Sequence, residues 1–287
     1  MSRVDVRKTH KLFIGGAFPR SESGRTYEAT DSKEQFLANM ALASRKDSRD
    51  AVLAARSAVA KWSAATAYNR GQVLYRIAEV MEGRREQFIS EVSDSEGVSS
   101  RKAGAHVDAA IDRWVWYAGW ADKYAQVIGN TNPVAGPFFN FSVPEPTGVV
   151  AAVAPQDASV LGLVSVVAPI IVTGNAAIVM PSSSRPIPAI TLAECLATSD
   201  VPAGVVNILT GAPAEVMPWL AEHADVNALD LTGIVDEGVA TDLERSAAGT
   251  VKRVRGAAPH ADWQATPSLS RMRAFVEVKT VWHPMGV

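Results

Sequence analysis

A single cysteine, Cys195, among 287 residues rules out any internal disulfide framework and fits a reducing compartment. Charge of one sign is also scarce in excess, since 28 Lys and Arg face 30 Asp and Glu for a net charge of -2. That balance gives no electrostatic reason to expect nucleic acid or an acidic membrane as partner. The one basic run, Lys252-Arg253-Val254-Arg255, reads as a solvated connector. No segment is an uninterrupted apolar span of membrane length, and residues 1–16 lack the apolar core of a signal peptide, so the cytoplasm is the expected compartment. Histidines are few and scattered: His10, His106, His223, His260 and His283 show no metal-ligand spacing and no His/Asp/Ser constellation. What the chain does have is 47% hydrophobic residues, enough to bury the core of one large domain or of one domain with appendages.

The stretch 144–181 organises the rest. Two short Val-rich apolar runs, 148–153 and 176–180, flank one helix's worth of residues beginning near Ser159. This is the pattern of a βαβ unit with two buried parallel strands. Pro155 ends the first strand, Gly174-Asn175 stops the helix and Pro181 ends the second strand. The alternation continues with a helix from Pro186 to about Thr198, a strand at 204–209, a helix from Pro213 to His223, a strand at 226–231 and a helix to about Ala248. The sequence therefore predicts an α/β protein with a doubly wound, Rossmann-like parallel sheet. Ligands of such sheets bind beyond the carboxyl ends of the strands, which points to Gln156-Asp157 and to residues 181–184. Ser182-Ser183-Ser184 has no Gly-rich turn or Lys beside it and reads as a capping turn before Pro186.

Upstream, Leu12 to Ile14 read as a strand leading to the Gly15-Gly16 turn, and N-terminal helices follow. One is capped by Ser48 with Asp50 in its first turn. A second starts near Asn69 and carries a stripe from Val73, Ile77, Val80 and Met81 on to Phe88 and Val92, with Arg84, Arg85 and Glu86 solvating its outer face. A third covers 99–128 with a break near Gly119, its buried stripe running through Ile111, Trp114, Val115, Ala118 and Ala121. Its aromatics Trp114, Trp116, Tyr117 and Trp120 have the spacing of core and subunit packing. Residues 127–146 make an extended excursion, 251–269 an irregular connector, Thr266-Pro267 caps a short helix, and 275–282 alternates as a final strand.

The tripeptide Pro155-Gln156-Asp157 after a strand, an apolar helix closing on Gly174-Asn175, and a strand ending Met180-Pro181-Ser182 resemble the coenzyme domain of the aldehyde dehydrogenase superfamily. The opening 13–16, the turn 233–238 and the segment 277–281 carry the same likeness. The resemblance covers about 11–250 and again 270–287, and implies that the family's intervening catalytic domain is missing. On that reading 1–250 is coenzyme-domain-like, with 127–146 reaching a small antiparallel oligomerisation sheet, and 270–287 is an oligomerisation tail.

The resemblance also implies a pocket of Pro155, Gln156, Asp157, Met180, Pro181, Ser182, Ser183, Gly211, Thr232, Gly233, Ile234 and Gly238. Its chemistry departs from the family pattern. Asp157 stands where an Asn holds the oxyanion, Met180 where a Lys binds ribose, Ser183 where a Glu is common, and Ile234 where a Ser donates to pyrophosphate. Both glycines of that last turn survive, but Asp236-Glu237 bring negative charge to it. The family's nucleophile would lie in the missing domain, and residues 251–256 offer no carboxylate in place of its Glu base. Cys195 has no basic neighbour in sequence and reads as core. The expectation is a non-catalytic subunit or scaffold that forms homo-oligomers or joins a full-length aldehyde dehydrogenase, with no cofactor of high affinity and NAD(P) bound weakly if at all. The alternatives are an NAD(P)-dependent oxidoreductase on aldehydes whose catalytic residues come from a partner chain, and a nucleotide-binding sensor. Deleting 270–287 is expected to shift the protein to a smaller species or to insoluble material while leaving the βαβ core helical.

Overall fold

Helix caps fix the first boundaries in the computed structural model, which describes residues 7–286. Strands β1 (Thr9–His10), β2 (Thr26–Thr30) and β3 (Phe36–Ala41) form a small sheet in the order β1-β3-β2. Leu12 to Ile14 do not make the expected strand; Phe13 forms a single bridge to Ile208 and Ile14 one to Ala17. Helix α1 (Arg45–Ala64) starts ahead of Ser48, because Ser44 accepts from the Asp47 amide while Asp47 accepts from the Ser44 amide in a capping box. Ser48 is thereby buried inside the first turns.

Helix α2 (Ala67–Gly83) is likewise capped earlier than Asn69, by Thr66, and the long stripe through Phe88 divides at Arg84 into α2 and α3 (Arg85–Glu96). The basic residues there are fasteners as well as solvation: Arg84 pairs with Glu194, and Arg85 pairs with Asp108 at 2.7 Å. Helix α4 (Ser100–Trp120) and the short α5 (Tyr124–Ile128) follow, with Trp114 and Tyr117 fully buried but Val115 exposed.

Strands β4 (Asn130–Asn132) and β5 (Phe138–Pro146) lead into the central unit of β6 (Val149–Val153), α6 (Leu161–Val172) and β7 (Ala176–Met180). Helix α6 begins two residues beyond Ser159, and every one of its residues is buried, which explains a helix with no polar face. Then come α7 (Ile187–Ala197), β8 (Val206–Ile208), α8 (Pro213–Glu222), β9 (Ala228–Asp230), α9 (Glu237–Ala248) and β10 (Arg253–Arg255). All neighbours in the five-stranded sheet β10-β9-β6-β7-β8 are parallel.

Alternate residues of the strands face opposite layers. Val150, Ala152, Ala177 and Val179 join the core built with α2, α3, α4, α6 and α7, whereas Val149, Ala151, Val153, Ile178 and Met180 join α1, α8 and α9. The basic run expected to be a solvated connector is β10, recruited by β9 as a fifth strand. Nor do Thr266-Pro267 cap the next helix: α10 (Ser270–Ala274) starts after Leu269 without a side-chain cap. Strand β11 (Val276–Pro284) pairs antiparallel with β5 from Val276↔Pro146 to Pro284↔Phe138, giving the small sheet β11-β5-β4.

His10 yields a pH prediction. It is 6% exposed, and burial, assisted by Lys8 and opposed by Glu194, pushes its pKa down to about 4. The unfolded chain, titrating near 6.5, then binds the proton first. Stability present above about pH 6.5 should therefore drop by about 2–3 kcal/mol as pH falls toward 4, and His10→Gln should flatten that slope in urea unfolding. Parallel pH profiles for the two proteins would refute this assignment.

Candidate functional site

Strand β6 has β7 on one side and β9 on the other, so the strand order reverses at β6 and the ligand crevice of such a sheet opens beyond its carboxyl end. The loops after β6, β7 and β9 meet there. Gly233 crosses the mouth of the first loop so closely that a Cβ on it would lie 1.9 Å from the Ala154 carbonyl oxygen. Its amide donates to Val153 at 2.9 Å. Only glycine fits this approach.

The structure brings Gln156, Ser182 and Ser183 together. Gln156 Nε2 donates to the Ala154 carbonyl at 2.8 Å, and its Oε1 accepts from the Ser183 amide at 2.9 Å and from Ser183 Oγ at 3.2 Å. Ser182 Oγ donates to the Gln156 carbonyl at 2.9 Å, which ties the two loops into one unit. Pro155 is held by contact with Gly162, where a Cβ would come within 2.8 Å of its ring. Pro181 is buried beneath the loop, while Asp157 is exposed and its carbonyl accepts from Arg185 Nη1 at 2.6 Å.

Other residues of the expected pocket lie elsewhere. Gly211, at φ +134°, abuts Leu42 beside β3. Met180 and Ile234, 0% and 6% exposed, sink into the same apolar cluster as Val153 and Leu231. Thr232 is buried as well, bonded through its amide and hydroxyl to Asp230. At the start of α9, beside Gly238, Asp236 Oδ1 accepts from the Val239 amide at 2.9 Å and so occupies the end of the helix dipole that an anion would approach.

A dinucleotide would need hydroxyl donors, a charged ribose contact and free amides at that helix. The residues present do not fit it well: Met180 and Ile234 contribute no polar atom, Ser183 is engaged by Gln156, and Asp157, Asp236 and Glu237 are exposed carboxylates around the mouth.

Two partners of the site carried no signal in the sequence. Glu96, at the end of α3, accepts from the Ser159 amide at 2.8 Å and Ser159 Oγ at 2.7 Å, and its other oxygen meets His106 Nδ1 at 3.1 Å. This carboxylate anchors the loop after β6 from a position 63 residues away. Arg271 of α10 reaches the end of β9, where Nη1 lies 3.2 Å from Asp230 Oδ2 and Nη2 lies 3.2 Å from Thr232 Oγ1. Spacing along the chain predicts neither contact.

Cys195 is fully buried in α7, and burial pushes its thiol up to about 11. The absence of a basic neighbour holds only along the sequence, since tertiary structure brings Arg84 beside the sulfur and opposes the rise. Burial still prevails, so the thiol stays protonated at neutral pH. Among the described residues no group of His, Cys, Asp and Glu has the disposition of a metal site, and no helix is long and apolar enough to cross a membrane.

The sequence profile of the aldehyde dehydrogenase family matches residues 18–256. Cytosolic 10-formyltetrahydrofolate dehydrogenase of Pongo abelii is 32% identical over 246 residues, which are 83% of this chain and 27% of that protein. Aldehyde dehydrogenase, cytosolic 1 of Elephantulus edwardii is 30% identical over 261 residues, 88% of this chain and 51% of the relative. The NAD+ complex of an aldehyde dehydrogenase from Bacillus cereus superposes with a TM-score of 0.81 at 27% identity, covering 86% of this chain and 50% of that one. The chain thus spans from about a quarter to about half the length of these relatives. Profile, relatives and sheet order agree: the chain belongs to the aldehyde dehydrogenase family.

Proposed function

We propose that this aldehyde dehydrogenase-like chain is a non-catalytic subunit or scaffold, which self-associates or joins a complete aldehyde dehydrogenase and binds NAD(P) weakly or not at all. The observation that carries this reading is the crevice beyond β6 and β9, with buried Met180 and Ile234 below it and Asp236 capping α9. Loss of two charged or hydroxyl contacts lowers affinity by about a hundredfold or more. Cys195, buried and protonated, offers no thiolate for addition to a carbonyl. Assembly is supported by the small sheet, in which β11 is an edge strand with mostly exposed side chains, including Val278 and Trp282. An uncovered edge of this kind takes up a strand from another chain.

The test is calorimetric titration with NAD and NADP, combined with an assay of aliphatic and aromatic aldehydes. Expected results are no saturable binding in the low-micromolar range and no turnover. Low-micromolar binding, or turnover that disappears in Cys195→Ala, would overturn the reading. The split-enzyme alternative, in which a partner supplies the catalytic residues, draws on the fold shared with the Bacillus cereus NAD+ complex. It predicts turnover only after a full-length homologue is added. Repairing the pocket with Met180→Lys is a poor test of either reading, because that position is 0% exposed and the new charge would be buried among apolar side chains.

A further inference from the structure

The carboxyl ends of β9 and β10 bury more positive than negative charge. Arg113 of α4 and Arg271 of α10 are 7% and 9% exposed, and Arg255, the last residue of β10, is half-buried. All three guanidiniums lie close enough to Tyr117 to oppose the rise of its hydroxyl to about 12 that burial causes. Arg271 also feels the like charge of Arg255, and Arg113 that of Arg271. Against these charges the cluster buries one carboxylate, Asp230. Asp262, the acidic residue acting on Arg113, is exposed and accepts from the Gln264 amide.

Hydrogen bonding there is unmatched in the same sense. Arg113 gives Nη1 to Ser165 Oγ and Nη2 to the carbonyls of Trp263 and Ala265, but its Nε has no partner. Arg255 Nε and Trp263 Nε1 are also buried without a partner. Trp263 is 8% exposed, and its ring centroid lies 4.9 Å from Arg271 Cζ. A few buried unsatisfied groups are normal in a protein, but three N–H donors within one cationic cluster are a deficit of acceptors. An oxyanion supplies acceptors and negative charge together; an apolar or cationic ligand supplies neither. Gly256 and Ala257, next to Arg255, are exposed and mark the side open to solvent.

We infer that Arg113, Arg255, Arg271 and Trp263 form a binding site for a small phosphate-type oxyanion. The site adjoins the crevice, since Arg271 also bonds Asp230 and Thr232 at the end of β9, but it uses none of the amides at the Asp236-capped start of α9.

The experiment compares thermal unfolding of the full chain in inorganic phosphate and in chloride at equal ionic strength. Phosphate at saturation should raise the midpoint by about 2–4 °C. Arg255→Gln should abolish the rise, and Arg255→Lys, which keeps the charge, should retain much of it. Equal midpoints in the two salts, or an undiminished rise in Arg255→Gln, would overturn the inference. Phosphorus NMR on the wild-type protein needs no variant: broadening of the phosphate line that sulfate reverses supports the site, and its absence refutes it.

Discussion

Removal of residues 270–287 should leave the protein insoluble, whereas removal of 278–287 should leave it folded and reduce its assembly. The first cut takes away Met272 and Phe275, both 0% exposed, and Val276 at 3%. Burial of each large apolar side chain contributes about 1.5–3 kcal/mol, and the void left behind adds to the loss. The Phe275 carbonyl accepts from Asn175 Nδ2 at 2.8 Å and from the Thr147 amide at 3.2 Å, so both donors lose their acceptor. Asp230 loses Arg271 as well. Together these losses reach the whole stability of an ordinary domain, about 5–15 kcal/mol. Of the two outcomes expected from sequence, a smaller species or insoluble material, the packing favours the second, because the tail joins the core before it reaches β11. Among the described residues, those removed by the shorter cut are exposed except for half-buried Val281. Circular dichroism should then show retained helix, and light scattering a smaller species than the intact chain. A soluble, cooperatively unfolding 1–269 would refute the packing argument, and an unchanged mass for 1–277 would refute assembly through β11.

Asp230→Ala should destabilise the chain by about 3–5 kcal/mol, the usual cost of stranding one member of a buried ion pair. Asp230 is 0% exposed; it accepts from the Thr232 amide at 3.0 Å, from the Thr232 hydroxyl and from Arg271 Nη1 at 3.2 Å. Without it a guanidinium stays buried with one fewer counter-charge beside Arg255. The double variant Asp230→Leu with Arg271→Met should recover much of the loss, since apolar residues of similar size leave no buried charge to compensate. Urea unfolding of wild type, single and double variants completes the cycle. A loss below about 1 kcal/mol for Asp230→Ala, the range of an exposed pair, would show that water reaches the site.

The sequence by itself determined the alternation of strands and helices from 148 to 248, the doubly wound sheet, the pairing-ready strand after 275 and the family. Those signals are local: Pro155, Gly174-Asn175 and Pro181 punctuate runs whose apolar character leaves them no other place than the interior. It also placed the crevice residues Gln156, Ser182 and Ser183 at adjoining strand ends, because strand order follows from βα handedness. Only tertiary structure decided that Arg253 to Arg255 form a strand, since charged residues at both ends hide the pairing with β9. It alone sank Met180 and Ile234 into the core, set Arg84 beside Cys195, and joined Glu96 to Ser159 and Arg271 to Asp230. Each of these depends on how a charge or an apolar group is matched by a residue far along the chain. Periodicity reports which face of an element turns inward, but not which group from another element awaits it there.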